Sequence, residues 1–364
     1  MKKDIIFIGY IDKKISSGPA VALNNILNQF KLNGTNIKFI NTCSNNILYR
    51  LKLLKDIIMI MIIKDSVINV HSFGYKIPYY IYLISKINKK NKYFLTMHGI
   101  LSEQAKYVHD SETYKEFFND AKKYNKIEKE LIQNFPNIIC VSNGQKVYLE
   151  EKYNRKNNVY VIYNGTNIPN IYKLHELNFN KVKLIMAGGI YKVKNIFLLL
   201  QFIKEYNEKN LNSKVYMDIC GGYESLSILK DYNDFINKNE LMDYISYKGI
   251  LDKQKLNKLY AESHFCVALS KFDTFNLTAI ESMSYSTPAI VSKQCGISEV
   301  LKNGINGYVL DLNDNTLNCM SDIVENLVLN PEEYKKVSIN AYQTSLDFSC
   351  KNIYDMYFNL FNNI

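Results

Sequence analysis

Arginine is almost missing from this 364-residue chain: of its 45 basic residues, only Arg50 and Arg155 are not lysine. The formal net charge of +10 is therefore carried by point-like ammonium groups. A protein that reads bases would show guanidinium among its contacts, and no nucleic-acid motif accompanies the charge, so nucleic acid is not an expected partner. Paired cysteines are missing too. Cys43, Cys140, Cys220, Cys266, Cys295, Cys319 and Cys350 are scattered, odd in number and without zinc-binding spacing, which reads as free thiols; no metal site and no cofactor are expected. The longest uninterrupted apolar run, Ile57 to Ile63, falls far short of the ~20 residues that span a bilayer. Met1-Lys2-Lys3 leads directly into a strand-like run with no cleavable leader. The expectation is a cytoplasmic protein whose diffuse positive charge also suits an anionic membrane face.

What is present is a globular composition, 47% hydrophobic and 22% charged, in a length that suggests two domains. Asp4 to Tyr10 reads as a buried strand. A polar loop with Ser16-Ser17-Gly18-Pro19 follows, then a helix carrying Val21, Ile26, Leu27 and Phe30 and ending at Gly34. Strand, glycine loop and helix is how doubly wound sheets receive phosphates, but a dinucleotide fingerprint fails because Gly18 is the single glycine there. Asn46 to Lys64 predicts a helix buried against the sheet, with a place at a membrane interface, Arg50, Lys52, Lys55 and Lys64 around its apolar residues, as the other reading. Val67 to His71 and Lys92 to Met97 read as strands, with a helix over Pro78 to Asn88 between them. His98-Gly99 then falls at the carboxyl end of a strand, where open α/β sheets place ligands. His98 is thus a candidate; His71 reads as structural, and His109, His175 and His264 carry no signal. Glu112 to Asn134 reads as a long polar helix, Ile138 to Val141 and Val159 to Tyr163 as strands, and periodicity lapses from Thr166 to Asn180.

A second series of strands and helices starts at Val182 to Ala187 and runs through Lys214 to Cys220, Ile245 to Gly249 and His264 to Leu269. Its centre is Ser270 to Pro288: a strand, a polar loop, then a helix opening near Asn276 and ending before Thr287-Pro288. Free N–H groups and the helix dipole gather at such a place, so an anion can sit there against Asn276, Leu277 and Thr278. Asp273 precedes that site and Glu281 is placed two turns into the helix. Carboxylates do not neutralise phosphate; they accept hydrogen bonds from hydroxyls carried beside it. For Asp273 helix capping is the other reading. For Glu281, burial without a partner would cost several kcal/mol, which favours a ligand.

This stretch resembles the acidic signature of family 4 glycosyltransferases, an acid, seven residues and a Glu in a setting like Glu-Gly-Phe-Gly-Leu-x-x-x-Glu-Ala-Met-Ala-x-Gly-Thr-Pro. Phe275, Leu277, Glu281, Met283, Thr287 and Pro288 keep step with it, whereas Asp273 replaces Glu, and Asn276 and Ser286 replace Gly. Upstream, Gly188-Gly189 stands where relatives have Gly-Arg, so Gly189 occupies the place of an Arg that clamps the donor diphosphate. Lys194 holds the place of the clamping Lys, and Lys192 is a candidate to compensate. Cys295 to Glu299 and Asn303 to Val309 are similar to further family segments. The resemblance implies a GT-B fold, two Rossmann-like domains facing a cleft. Residues 1–166 would form the acceptor-side domain, with a terminal helix over about 348–364 crossing back, and residues 181–347 would hold the nucleotide sugar. It implies transfer from a nucleotide diphosphate donor, a UDP-sugar above others, to a saccharide or lipid-linked saccharide in surface polysaccharide assembly, with retention and without metal. His98 and Asp273 would orient the sugar, Glu281 the ribose, and Lys194 the diphosphate, with the Gly18 loop lying over the diphosphate and bordering the acceptor. The missing Arg and shortened acid motivate an alternative, a catalytically inactive GT-B protein serving as a partner. A sugar-nucleotide epimerase is disfavoured by the acidic spacing and the lack of a base cluster.

Overall fold

The structure is a computed structural model, and it describes residues 4–12, 17–43, 47–71, 74–107, 121–169, 180–210 and 212–363. Ser16, Asn46, the 112–120 portion of the long polar helix, His109, His175 and most of the Thr166 to Asn180 stretch lie outside those residues. The chain forms two compact units, one from Met1–Ser102, Asp120–Thr166 and Phe348–Ile364, the other from Glu103–Asn119 and Asn167–Asp347.

In the first unit, strands β1 (Ile5–Gly9), β2 (Ile37–Asn41), β3 (Val67–His71), β4 (Lys92–Met97), β5 (Asn137–Cys140) and β6 (Val159–Val161) form one sheet in the order β2-β1-β3-β4-β5-β6. Every pairing is parallel. Residues on β1 and β3 are buried throughout, as expected of parallel strands covered on both faces. The helix Gly18–Leu32 is capped by Ser17, whose hydroxyl accepts from Ala20 N–H, with Pro19 in its first turn. The closing helix Cys350–Asn363 adds Tyr354, Tyr357 and Phe361 to a core with Phe7, Phe30 and Phe94. Phe30 meets Tyr354 edge-on at 4.7 Å, and Phe361 lies 5.0 Å from Phe94.

The helix Ile47–Ile62 departs from a sheet-packed element. From Tyr49 onward it buries only Ile60, while Leu51, Leu54, Ile58, Met61 and Ile62 are exposed. Its neighbour, the helix Lys76–Ile87, exposes Tyr80, Leu83 and Ile87.

In the second unit, β7 (Lys181–Ala187), β8 (Lys214–Cys220), β9 (Ile245–Gly249), β10 (Phe265–Ala268), β11 (Ala289–Ser292) and β12 (Gly307–Leu310) form a parallel sheet ordered β12-β11-β10-β7-β8-β9. From β7 the chain winds outward through β8 and β9, then returns to the other side of β7 as β10. The reversal makes the β7/β10 boundary the switch point of this sheet, and in such sheets ligands bind outside the strand carboxyl ends at that boundary.

Candidate active site at the switch point of the second sheet

β7 runs into Gly188 and Gly189. Gly189 has φ +74°, and a Cβ on it would stand 2.3 Å from the carbonyl oxygen of Gly222. Its N–H donates to Cys220 O at 2.8 Å, and the N–H of Ile190 to Gly222 O at 2.9 Å. The backbone approach that closes this turn therefore leaves no room for a side chain at 189. A short 3₁₀ turn, Lys192–Lys194, follows. It is held to the end of β10 by Lys271 N–H donating to Val193 O at 2.8 Å, and to Glu224 by Lys192 N–H donating to Oε2 at 2.8 Å.

Docking of that turn brings Lys194 to Asp273: Nζ lies 2.6 Å from Oδ2. Asp273 Oδ1 accepts from Phe275 N–H at 3.1 Å, and Oδ2 also accepts from Asn276 Nδ2 at 3.1 Å. Burial alone would raise this carboxyl; the Lys194 ammonium and the hydrogen bonds from Lys194, Phe275 and Asn276 outweigh it and hold it below the usual range. Asp273 does not cap the next helix. Asn276 does, its Oδ1 accepting from Ala279 N–H at 3.1 Å and from Thr278 Oγ1 at 3.0 Å. Asn276 has φ +79°, in the left-handed region where asparagine best replaces glycine. Among the described residues, the N–H groups of Asn276, Leu277 and Thr278 have no intrachain acceptor.

The helix is Leu277–Met283, only two turns long, so Glu281 lies one turn inside it rather than two. Its carboxylate is buried but paired: Lys253 Nζ lies 2.5 Å from Oε1, and Tyr260 OH donates to Oε2 at 3.2 Å. The cost of an unpaired buried charge, the sequence-level reason for assigning Glu281 a ligand, is thus met within the chain. Sequence reasoning missed Lys253 as the partner, although a basic residue just after the Asp252 cap of the helix Lys253–Glu262 was open to inspection.

The switch point brings together Lys194, Asp273, Asn276 and Thr278. Two predicted site residues belong to the first unit. Gly18 opens the helix after β1 with nothing within 4 Å of where a Cβ would stand, so no close approach requires glycine there. His98 follows β4, is buried, and its Nε2 lies 2.8 Å from Nδ1 of His71. Burial pushes His98 down to about 4 and His71 well below the usual histidine range, so both are neutral.

The Glycosyltransferase Family 4 model matches residues 39–168, and the Glycosyl transferases group 1 model matches residues 167–344. The chain belongs to glycosyltransferase family 4. Over 216 residues it is 28% identical to an uncharacterized glycosyltransferase of Methanocaldococcus jannaschii, covering 59% of this chain and 56% of that protein. Over 207 residues it is 25% identical to the Escherichia coli UDP-Gal:alpha-D-GlcNAc-diphosphoundecaprenol alpha-1,3-galactosyltransferase, covering 53% and 52%. The chain thus spans little more than half of these curated relatives. Anabaena HepE, solved in complex with UDP and glucose, matches 100% of both chains at TM-score 0.76 and 16% identity, a likeness of fold. The two six-stranded parallel sheets with alternating helices are those of the GT-B fold.

Proposed function

We propose that this family member transfers a sugar from a nucleotide diphosphate donor, a UDP-sugar in the first place, to a saccharide or lipid-linked saccharide in surface polysaccharide synthesis, with retention at the anomeric carbon. The observation that carries the reading is the Lys194–Asp273 pair at 2.6 Å beside the open N–H groups of residues 276–278. A leaving diphosphate gathers charge at the transition state, and a fixed ammonium with oriented N–H groups stabilises that charge without a metal ion. Lys192, in the same turn, adds a second ammonium. Diphosphate entering here would share Lys194 with Asp273, whose carboxylate would accept hydroxyls of the sugar, while Glu281 would accept those of the ribose. His98 would contact the sugar. UDP in the HepE complex and the diphosphoundecaprenol acceptor of the galactosyltransferase support the donor and acceptor classes.

The exposed apolar stripe of the Ile47–Ile62 helix, flanked by Arg50, Lys52, Lys55 and Lys64, supports peripheral contact with an anionic membrane face, where a lipid-linked acceptor would lie. No described helix is long and apolar enough to cross a membrane.

Nucleotide release from UDP- and GDP-linked sugars, measured without acceptor, tests the reading. We expect slow hydrolysis of one donor, lowered about 100-fold or more by Lys194→Ala and by Asp273→Ala. The closed turn at Gly189, which denies the chain a bidentate arginine, favours the inactive partner protein as the second reading. That reading takes over if no donor is cleaved and none raises the thermal midpoint.

A further inference from the structure

His98 ends a chain of buried polar groups that runs across the first sheet. Thr96 Oγ1 donates to Asn69 Oδ1 at 3.0 Å. Asn69 Nδ2 stands 3.2 Å from His71 Nε2, and His71 Nδ1 stands 2.8 Å from His98 Nε2. Tyr357 OH lies 3.4 Å from the Thr96 hydroxyl. Asn69 and Thr96 are fully buried, and His71 and His98 nearly so.

The orientation of the Asn69 amide sets the direction of the whole chain. Asn69 turns Oδ1 toward Thr96, whose hydroxyl donates to it, and its NH₂ toward His71. His71 Nε2 must then be the bare nitrogen that accepts, which leaves the His71 proton on Nδ1. That proton is donated to His98 Nε2, so His98 Nε2 is bare and its own proton sits on Nδ1. Bonds aligned in one direction reinforce one another at low dielectric. Burial keeps both rings neutral, so neither can donate from both nitrogens.

We infer that His71 is a positioning residue: with Asn69 and Thr96 it fixes His98 in the Nδ1–H tautomer, so that His98 can only donate a hydrogen bond to a sugar oxygen and cannot serve as a base. The functional half rests on the proposed place of His98 at the donor sugar; the tautomer does not. Five histidines in the chain make nitrogen-15 spectroscopy of the rings tractable. In the full chain, long-range proton–nitrogen correlation is expected to show His98 protonated at Nδ1 alone. Thr96→Val, three hydrogen bonds away, is expected to populate both His98 tautomers. His71→Phe should lower kcat for donor cleavage about 10-fold with KM nearly unchanged, and His71→Asn, whose amide can still donate to Nε2, should restore part of it. Circular dichroism and the thermal midpoint identify variants that fail to fold; for those, the wild-type spectrum decides. A wild-type His98 protonated at Nε2 overturns the inference whatever the activity. Nδ1 protonation combined with full donor cleavage by His98→Ala would leave the tautomer standing and sink the role of His98 in the site.

Discussion

Ser286 adopts φ +61°, a conformation that costs a residue with a Cβ roughly 1–2 kcal/mol, and its buried hydroxyl has no partner among the described residues. Ser286→Gly removes both penalties, offset by the greater freedom of glycine in the unfolded chain. We expect a net gain of about 1 kcal/mol, read as a higher urea midpoint. Asn276, like Ser286, stands where the family signature has glycine, and both are left-handed. The departures were visible in the sequence, but the backbone that accommodates them was not. Gly189 is the reverse case: the missing arginine could be counted, while the 2.3 Å approach that forbids it could not. That His98 follows a strand was legible. Its partner was not recognised, although His71 ends β3 and pairs in register with Thr96 on the neighbouring strand. The histidine pair also sets a pH response. Folding lowers both pKa values, so between about pH 6.5 and 4 the unfolded chain binds protons that the folded chain refuses. Stability should fall as pH drops through that window, by up to about 1.4 kcal/mol per unit per histidine. Asp273, with its folded pKa depressed, contributes stability that is lost only at lower pH, as its carboxyl protonates. Urea midpoints taken between pH 7 and 4.5 should show the slope, and His71→Phe should flatten it.

At the scale of elements, buried parallel strands were the most legible, because a run that is apolar on both faces has few other readings. Asp4 to Tyr10 and Lys92 to Met97 were each placed within a residue of β1 and β4. Helix lengths fared less well. The signature helix stops at Met283, not just before Pro288, because turn residues Ser284 to Ser286 bring the chain to the left-handed Ser286. For Ile47–Ile62 the expected burial against the sheet fails, since an apolar stripe suits a membrane face as well and Leu51, Leu54 and Ile58 are exposed. If this face docks on lipid, the protein should sediment with vesicles of phosphatidylcholine and phosphatidylglycerol and much less with phosphatidylcholine alone, and added salt should weaken the binding. Leu54→Asp with Ile58→Asp should abolish it without lowering the thermal midpoint. Equal sedimentation of that variant would place the contact elsewhere.

For the whole molecule, the arrangement of the chain ends separates the contributions of the two units. The last helix belongs to the first unit: Thr166 N–H donates to Phe348 O at 2.9 Å, Cys350 N–H to Thr166 O at 3.0 Å, and Tyr354, Tyr357 and Phe361 fill the space beside Phe7, Phe30 and Phe94. Losing a buried aromatic side chain costs roughly 3–5 kcal/mol, against roughly 5–15 kcal/mol for the stability of a domain. Ending the chain at Asp347 removes three at once and should unfold the first unit. The core of the second unit is drawn from Val182 to Tyr334 and loses nothing. Calorimetry of the truncated chain should therefore keep one cooperative transition. If Lys194, Asp273 and Glu281 hold the donor, UDP should raise that remaining transition, with a stabilisation of about 2.7 kcal/mol at 100 times Kd. UDP that protects the full chain but leaves the truncated one unchanged would assign nucleotide binding to the first unit and remove the switch-point carboxylates from the donor site.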